Sequence, residues 1–271
     1  MKSEKDIDLS ELSFETKRDI NFYIKEKFKD SSKFTQSQIS KIENIVKSLE
    51  EGYPRDYLIG NSEFYGRKYF VDQRVLIPRP ETEVLVDTIK SLNLSDGSIL
   101  CDLGTGSGCI GISLAMLNES FIVFGVDISE EAILVARKND LTYMKKNFFL
   151  IQSNWASCFQ ENSIDCIISN PPYIDKDDSH LADLKHEPLL ALVSELHGLE
   201  AFEIISQQAK KLLKKDGLLL LEHGFDQSEH VEKIIYKNDL KLIRKIKDLS
   251  GNDRVISVSY THLTLPTTIE V

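Results

Sequence analysis

Asn170, Pro171, Pro172 and Tyr173 stand together at the end of an apolar run, Ile167-Ile168-Ser169. Proline fixes φ and lacks an N–H, so such a turn is stiff and its carbonyls stay free to accept. The Asn170 side-chain oxygen and the Pro171 carbonyl can take the two N–H groups of a planar –NH₂, with the Tyr173 ring over its face. The nitrogen of an amide or aromatic amine has a delocalised, weakly basic lone pair. Holding both hydrogens aims that nitrogen along one line. The two acceptors also favour the positive charge that grows on it during alkylation. The pattern suits transfer of an already activated methyl group to nitrogen, which calls for neither a metal nor a covalent nucleophile. Asn and Pro also favour plain surface turns, so the motif gains its meaning from what accompanies it.

Two features accompany it. Asp102-Leu103-Gly104-Thr105-Gly106-Ser107-Gly108 is a glycine loop after an apolar run, where bare backbone lets a ligand rest against main-chain amides. Gly106-Ser107-Gly108-Cys109-Ile110-Gly111 also satisfies the dinucleotide pattern Gly-x-Gly-x-x-Gly, a weak signal alone. Asp127, in Gly125-Val126-Asp127-Ile128-Ser129, ends the next apolar run, where a carboxylate accepts from ribose hydroxyls. Ser129 suits the cap of the following helix better than Asp127 does. Together these residues indicate an adenosine-type cofactor without saying which one.

The elements that must position them alternate. Apolar runs at 98–103, 121–126, 148–152, 164–169 and 217–221 read as strands, with helices at 109–117, around 132–136, at 201–213 and around 231–236. Two short strand candidates, 241–246 and 254–258, close the chain. This alternation predicts a mostly parallel sheet covered on both faces, with ligands at the carboxyl ends of its strands. Before it, residues 1–61 show helical spacing only: Leu12, Ile20, Tyr23, Ile24 and Phe28, then Ile39, Ile42, Ile45, Val46 and Leu49. Residues 62–78 read as a β-hairpin linker, with its turn at Gly66-Arg67-Lys68. The sheet domain spans 79–257. Residues 258–271, with Ser259-Tyr260-Thr261-His262-Leu263-Thr264-Leu265-Pro266, break the charged style of the chain and resemble translated sequencing adaptor. They are expected to be non-native.

Bulk properties narrow the partners. A net charge of −10 disfavours a broad phosphate footprint, no apolar stretch is long enough to span a membrane, and the charged start lacks a secretory pattern. A cytoplasmic protein is expected. Cys101, Cys109, Cys158 and Cys166 form no Cys-x-x-Cys pair, and His180, His186, His197 and His223 lack ligand spacing. No metal site is expected.

With its flanks, the chain resembles the release-factor glutamine N5-methyltransferase family. The likeness covers about residues 34–257. It is carried by Tyr57-Leu58-Ile59-Gly60, Leu76-Ile77-Pro78-Arg79-Pro80-Glu81-Thr82-Glu83, the glycine loop, Val126-Asp127-Ile128-Ser129, Asn154-Trp155 and Asn170–Tyr173. Beyond these come His186-Glu187-Pro188, Leu220-Leu221-Glu222-His223-Gly224 and Gly251-Asn252-Asp253-Arg254-Val255. The resemblance implies a class I, Rossmann-like methyltransferase: a doubly wound, mostly parallel seven-stranded sheet behind a small helical domain that docks release factors. It implies S-adenosylmethionine as donor and S-adenosylhomocysteine as product. The acceptor would be the Gly-Gly-Gln glutamine of peptide chain release factors, a modification belonging to translation termination.

By position, Gly104, Thr105, Gly106, Ser107, Gly108, Asp127, Trp155 and Asn170 would form the donor site, and Asn170, Pro171, Pro172 and Tyr173 the glutamine site. The catalytic set would be Asn170, Pro171 and Tyr173. A monomer without direct nucleic-acid contact is expected. Departures are the short helical front, His197 where an acid is commoner, and the adaptor-like end. The same turn would also serve an exocyclic amine of DNA or RNA, adenine N6 above all, but the acidic charge favours a protein. An NAD-dependent oxidoreductase would leave Asn170–Tyr173 without a task.

Overall fold

The structure is a computed structural model and describes residues 9, 12–29 and 33–260. Its front is helical: α1 (Phe14–Phe28), α2 (Gln36–Glu50) and the short α3 (Arg55–Ile59). Thr35 opens α2 through a reciprocal capping box, accepting from the Gln38 N–H while the Gln38 side chain accepts from the Thr35 N–H at 2.8 Å. Ile20, Tyr23, Phe34, Ile42 and Ile59 bury one another as a separate small core. The α3 turn is invisible as periodicity because it is too short to repeat; Gly60 in the left-handed region ends it.

Strands β1 (Ser62–Phe64) and β2 (Arg67–Tyr69) make the linker hairpin. Phe64 pairs with Arg67, so the turn is Tyr65-Gly66, with φ of 51° and 69°. Positive φ at both central residues is what a tight two-residue hairpin demands. The turn expected at Gly66-Arg67-Lys68 is therefore one residue too late, and Arg67 and Lys68 belong to the strand.

A 3-10 turn, Pro80–Thr82, leads into α4 (Glu83–Ser91). Then follow β3 (Ile99–Leu103), α5 (Cys109–Leu117), β4 (Ile122–Asp127), α6 (Glu130–Tyr143), β5 (Phe148–Gln152) and β6 (Ile164–Ser169). After them come the short helices α7 (Leu189–Leu192) and α8 (Glu195–Gly198), then α9 (Glu200–Leu212), β7 (Leu213–Glu222), α10 (Ser228–Lys237), β8 (Lys241–Lys247) and β9 (Asp253–Ser259). The strand order is β5-β4-β3-β6-β7-β9-β8, and β9 alone runs against its neighbours. The fold is thus the expected doubly wound, mostly parallel seven-stranded sheet. It departs from the 3-2-1-4-5-6 dinucleotide order by this antiparallel strand wedged beside the edge.

Successive residues of one strand feed opposite cores. Cys101 and Leu103 of β3 join Phe202 and Ile205 of α9 and Val231 of α10, whereas Leu100 meets Leu85 of α4 and Ile112 of α5. The same alternation holds in β6, where Ile167 faces the first layer and Cys166 and Ile168 the second. Val258 is buried in β9 and pairs with Leu219, and Tyr260 packs on the first layer. Val258, Ser259 and Tyr260, which composition groups with the tail, are thus built into the sheet. Residues 261–271 lie outside the described residues.

Candidate active site

Between β3 and β6 the chain reverses its direction of winding, and the loops leaving these strands part to open a crevice. The glycine loop leaves β3, Asp127 ends β4 on one side, and Asn170 follows β6 on the other. These residues come together at one edge of the sheet.

The glycine loop is held from beneath. Asp102, fully buried, accepts from the Thr105 hydroxyl at 2.6 Å and from the Gly111 N–H at 3.0 Å. Burial pushes its carboxyl up to about 7, against these two hydrogen bonds, which act to lower it. Asn139, also buried, donates to the Ser107 carbonyl at 2.8 Å and exchanges hydrogen bonds with Phe70, tying the loop to the linker. Gly104, Gly106 and Gly108 take φ of 72°, 53° and 81°, backbone that other residues seldom adopt.

A cavity of about 250 Å³ opens above this loop. Gly104, Gly106, Asp127, Trp155, Asn170 and Pro172 line it, with Arg74 and Leu76 from the linker and Leu190 and Ala191 from α7. Asp127 accepts from the Gly106 N–H and the Ser129 N–H, each at 2.9 Å, which leaves a second lone pair on each oxygen. Burial raises its carboxyl above the usual range. Ser129 caps α6, accepting from Ala132. The Trp155 ring lies against Gly104. Thr105 and Ser107 are buried beneath the loop, and Gly108 fits α5 closely against Ala136 of α6. Of the expected loop residues, only Gly104 and Gly106 reach the cavity wall.

A second cavity, about 450 Å³, adjoins the first. Pro54, Arg79, Asn170, Pro171, Tyr173 and Glu187 are among its walls. Asn170 lines both spaces, with Pro172 facing one and Pro171 the other. Its Nδ2 donates to the Thr82 hydroxyl at 3.1 Å. Among the described residues, neither Asn170 Oδ1 nor the Pro171 carbonyl receives a hydrogen bond. The turn itself is stapled: Ser169 Oγ donates to the Leu103 carbonyl at 2.7 Å, and Gln227 Nε2 to the Tyr173 carbonyl at 2.8 Å. Gly198 packs so close that a Cβ there would lie 2.2 Å from that same carbonyl oxygen.

Tyr173 donates its hydroxyl to Glu222 at 3.4 Å, and burial with the Glu222 charge keeps it protonated well above ordinary tyrosine. Glu222 is itself buried, and desolvation pushes it up to about 7. Glu187, nearly inaccessible, grips the Arg79 guanidinium at 2.5 Å and the Ile77 N–H at 3.0 Å. The motif runs contain Arg79, Thr82, Glu187 and Glu222, but Arg79 and Glu187 stand 108 residues apart, Thr82 and Asn170 88, and Glu222 and Tyr173 49. Nothing in the sequence pairs them.

The histidines fall elsewhere. His180 and His197 are exposed beside Asp178 and Asp175, His186 packs on Tyr53, and His223 is buried against the Gly224 carbonyl. Cys101, Cys109 and Cys166 are buried and Cys158 is exposed.

A family model described as a methyltransferase domain matches residues 94–255, which takes in the glycine loop, Asp127 and the Asn170 turn. The fold is that of a methyltransferase domain. A crystal structure of a methyltransferase from Pyrococcus furiosus, 17% identical, has the same fold, with a TM-score of 0.56 over 79% of this chain and 98% of that one. The release factor glutamine methyltransferase of Lactococcus lactis is 40% identical, over 83% of this chain and 84% of that protein. The chain belongs to the release factor glutamine methyltransferase family. The bifunctional methyltransferase of Rickettsia felis is 38% identical over 83% of this chain, which spans about half, 49%, of its length.

Proposed function

We propose that the chain methylates the side-chain amide nitrogen of the Gly-Gly-Gln glutamine of bacterial release factors, with S-adenosylmethionine as donor. The single observation that carries this reading is Asn170 standing between two adjoining cavities, with its acceptor oxygen and that of Pro171 unengaged. The first cavity suits the donor: bare backbone at Gly104 and Gly106, apolar walls from Val126, Ile128 and Trp155, and the open lone pairs of Asp127 for ribose hydroxyls. S-Adenosylmethionine supplies a methyl group already activated on sulfur.

The chain's own part is positioning. Asn170 Oδ1 and the Pro171 carbonyl take the two N–H groups of the amide and aim its nitrogen into the first cavity. They also stabilise the positive charge that rises on nitrogen as the new C–N bond forms. Tyr173, held by Glu222 and Gln227, walls the second cavity beside the planar group. The helical front, residues 1–61, is the natural docking surface for the release factor, because Pro54 at its end borders the second cavity. The reading assigns the protein to the cytoplasm, as a monomer acting on protein without direct nucleic-acid contact. No helix of the described residues is long and apolar enough to cross a membrane.

Methyl-labelled donor is expected to label unmodified release factor and not a Gln→Ala variant of its tripeptide loop. Equal labelling of both would overturn the glutamine assignment, and labelling of a DNA or RNA substrate instead would favour an exocyclic amine.

A further inference from the structure

An asparagine amide serves as acceptor only while its oxygen, not its nitrogen, faces the substrate. The two ends are nearly the same size, so shape alone does not hold the orientation; hydrogen bonds must. Among the described residues, the one side-chain hydrogen bond at Asn170 runs from Nδ2 to the Thr82 hydroxyl, 3.1 Å away. Thr82 is 2% exposed, so no water replaces it. The buried Glu222 carboxyl lies near Thr82, whose hydroxyl acts to stabilise its charge.

A hydroxyl has a single proton to give. At Thr82 the oxygen takes the acceptor part, and it is the –NH₂ end of Asn170 that meets it. We infer that Thr82 is a positioning residue that holds the Asn170 amide by its Nδ2, with Oδ1 toward the substrate nitrogen. Thr82 touches neither cavity. It acts through Asn170, and it comes from the Pro78–Glu83 run, which thereby gains a task beyond starting α4. Glu222 is anchored in turn by the Tyr173 hydroxyl and the Arg254 charge, so both ends of the Asn170–Tyr173 turn refer to one buried carboxylate.

The inference rests on the glutamine methyltransferase reading, and the test separates the two. Thr82→Val keeps the side-chain shape and removes the hydroxyl; Thr82→Ser keeps the hydroxyl and removes the methyl. Wild-type protein that labels release factor establishes the activity, and its failure to do so would count against that reading alone. Thr82→Val is expected to lower kcat tenfold or more, with KM for S-adenosylmethionine and the melting temperature nearly unchanged, and Thr82→Ser to stay within about threefold of wild type. Independently of turnover, the side-chain ¹⁵N–¹H₂ resonances of Asn170 in asparagine-labelled protein should shift in the valine variant and keep their wild-type positions in the serine variant. A valine variant with wild-type kcat and unshifted resonances would overturn the inference. So would a serine variant as impaired as the valine one, since that would make the methyl packing the cause.

Discussion

Gly111 lies on α5, facing β5, and a methyl group placed there tests how tightly the glycine loop is seated. A Cβ at this position would sit 2.5 Å from Phe148 Cε2 and 3.1 Å from Asp102 Oδ2. The Phe148 ring has no retreat on its other side, because it also fills the notch at Gly125, where a Cβ would come within 2.7 Å. Relieving the first contact takes a shift of roughly 1 Å in a close-packed core, at a cost of about 3 kcal/mol. Alanine returns about 1 kcal/mol through its better helix propensity. The net loss for Gly111→Ala is therefore about 2 kcal/mol, a fall in melting temperature of roughly 4–8 °C for a chain of this size. Calorimetric melting reads it, and a second background isolates the cause. With Phe148→Leu already in place, the same substitution should cost nothing or stabilise slightly. A full-size loss in both backgrounds, or none in either, would show that the ring is not what requires the glycine.

Three further outcomes are expected. Asp127→Asn should weaken S-adenosylmethionine binding at least tenfold by titration calorimetry, because half of the acceptor capacity facing the ribose is lost; equal affinity would remove Asp127 from the donor site. Gly198→Ala should lower kcat about a hundredfold with donor affinity kept, since the Tyr173 carbonyl must yield by about 1 Å; unchanged kcat would mean that the α8 loop absorbs the methyl. Burial pushes the folded Asp102 carboxyl up to about 7, against 3.8 for a free aspartate. Its stabilising protonated form is fully present below pH 3.8, is lost as pH rises toward 7, and leaves a constant deficit above that. Asp102→Asn should melt increasingly above wild type across that window, by at most about 4 kcal/mol; a difference that does not vary with pH would refute the assignment.

The sheet was legible because each buried parallel strand is a bounded apolar run: 148–152 and 164–169 coincide with β5 and β6. The hairpin turn was misplaced because Tyr65 takes a positive φ that residue type does not advertise. β7 begins at Leu213, not Gly217, because Leu213 pairs with Ile164 before the strand bulges; charged Lys214 and Lys215 hide this. In the site, Asn170, Asp127 and Gly104 announced themselves by residue type at strand ends. Arg74 and Leu76 did not, since they reach the cavity only after the hairpin folds back over the sheet. Thr82 and Asn170 belong to two motifs 88 residues apart, and their hydrogen bond exists only once both motifs are folded.

β9 takes its place between two strands that precede it in the chain. Without Asp253–Ser259, Leu218–Leu221 are a bare apolar edge and β8 has no strand to pair with, so one strand completes this whole side of the sheet. The strand also delivers Arg254, which binds Asp248 and the His223 carbonyl and brings its charge up to Glu222. A chain still waiting for that segment could already possess its donor cavity while the back wall of the acceptor side lacked a cation. The strand that closes the edge of the sheet is thus the same one that sets a cation beside the carboxylate under Tyr173.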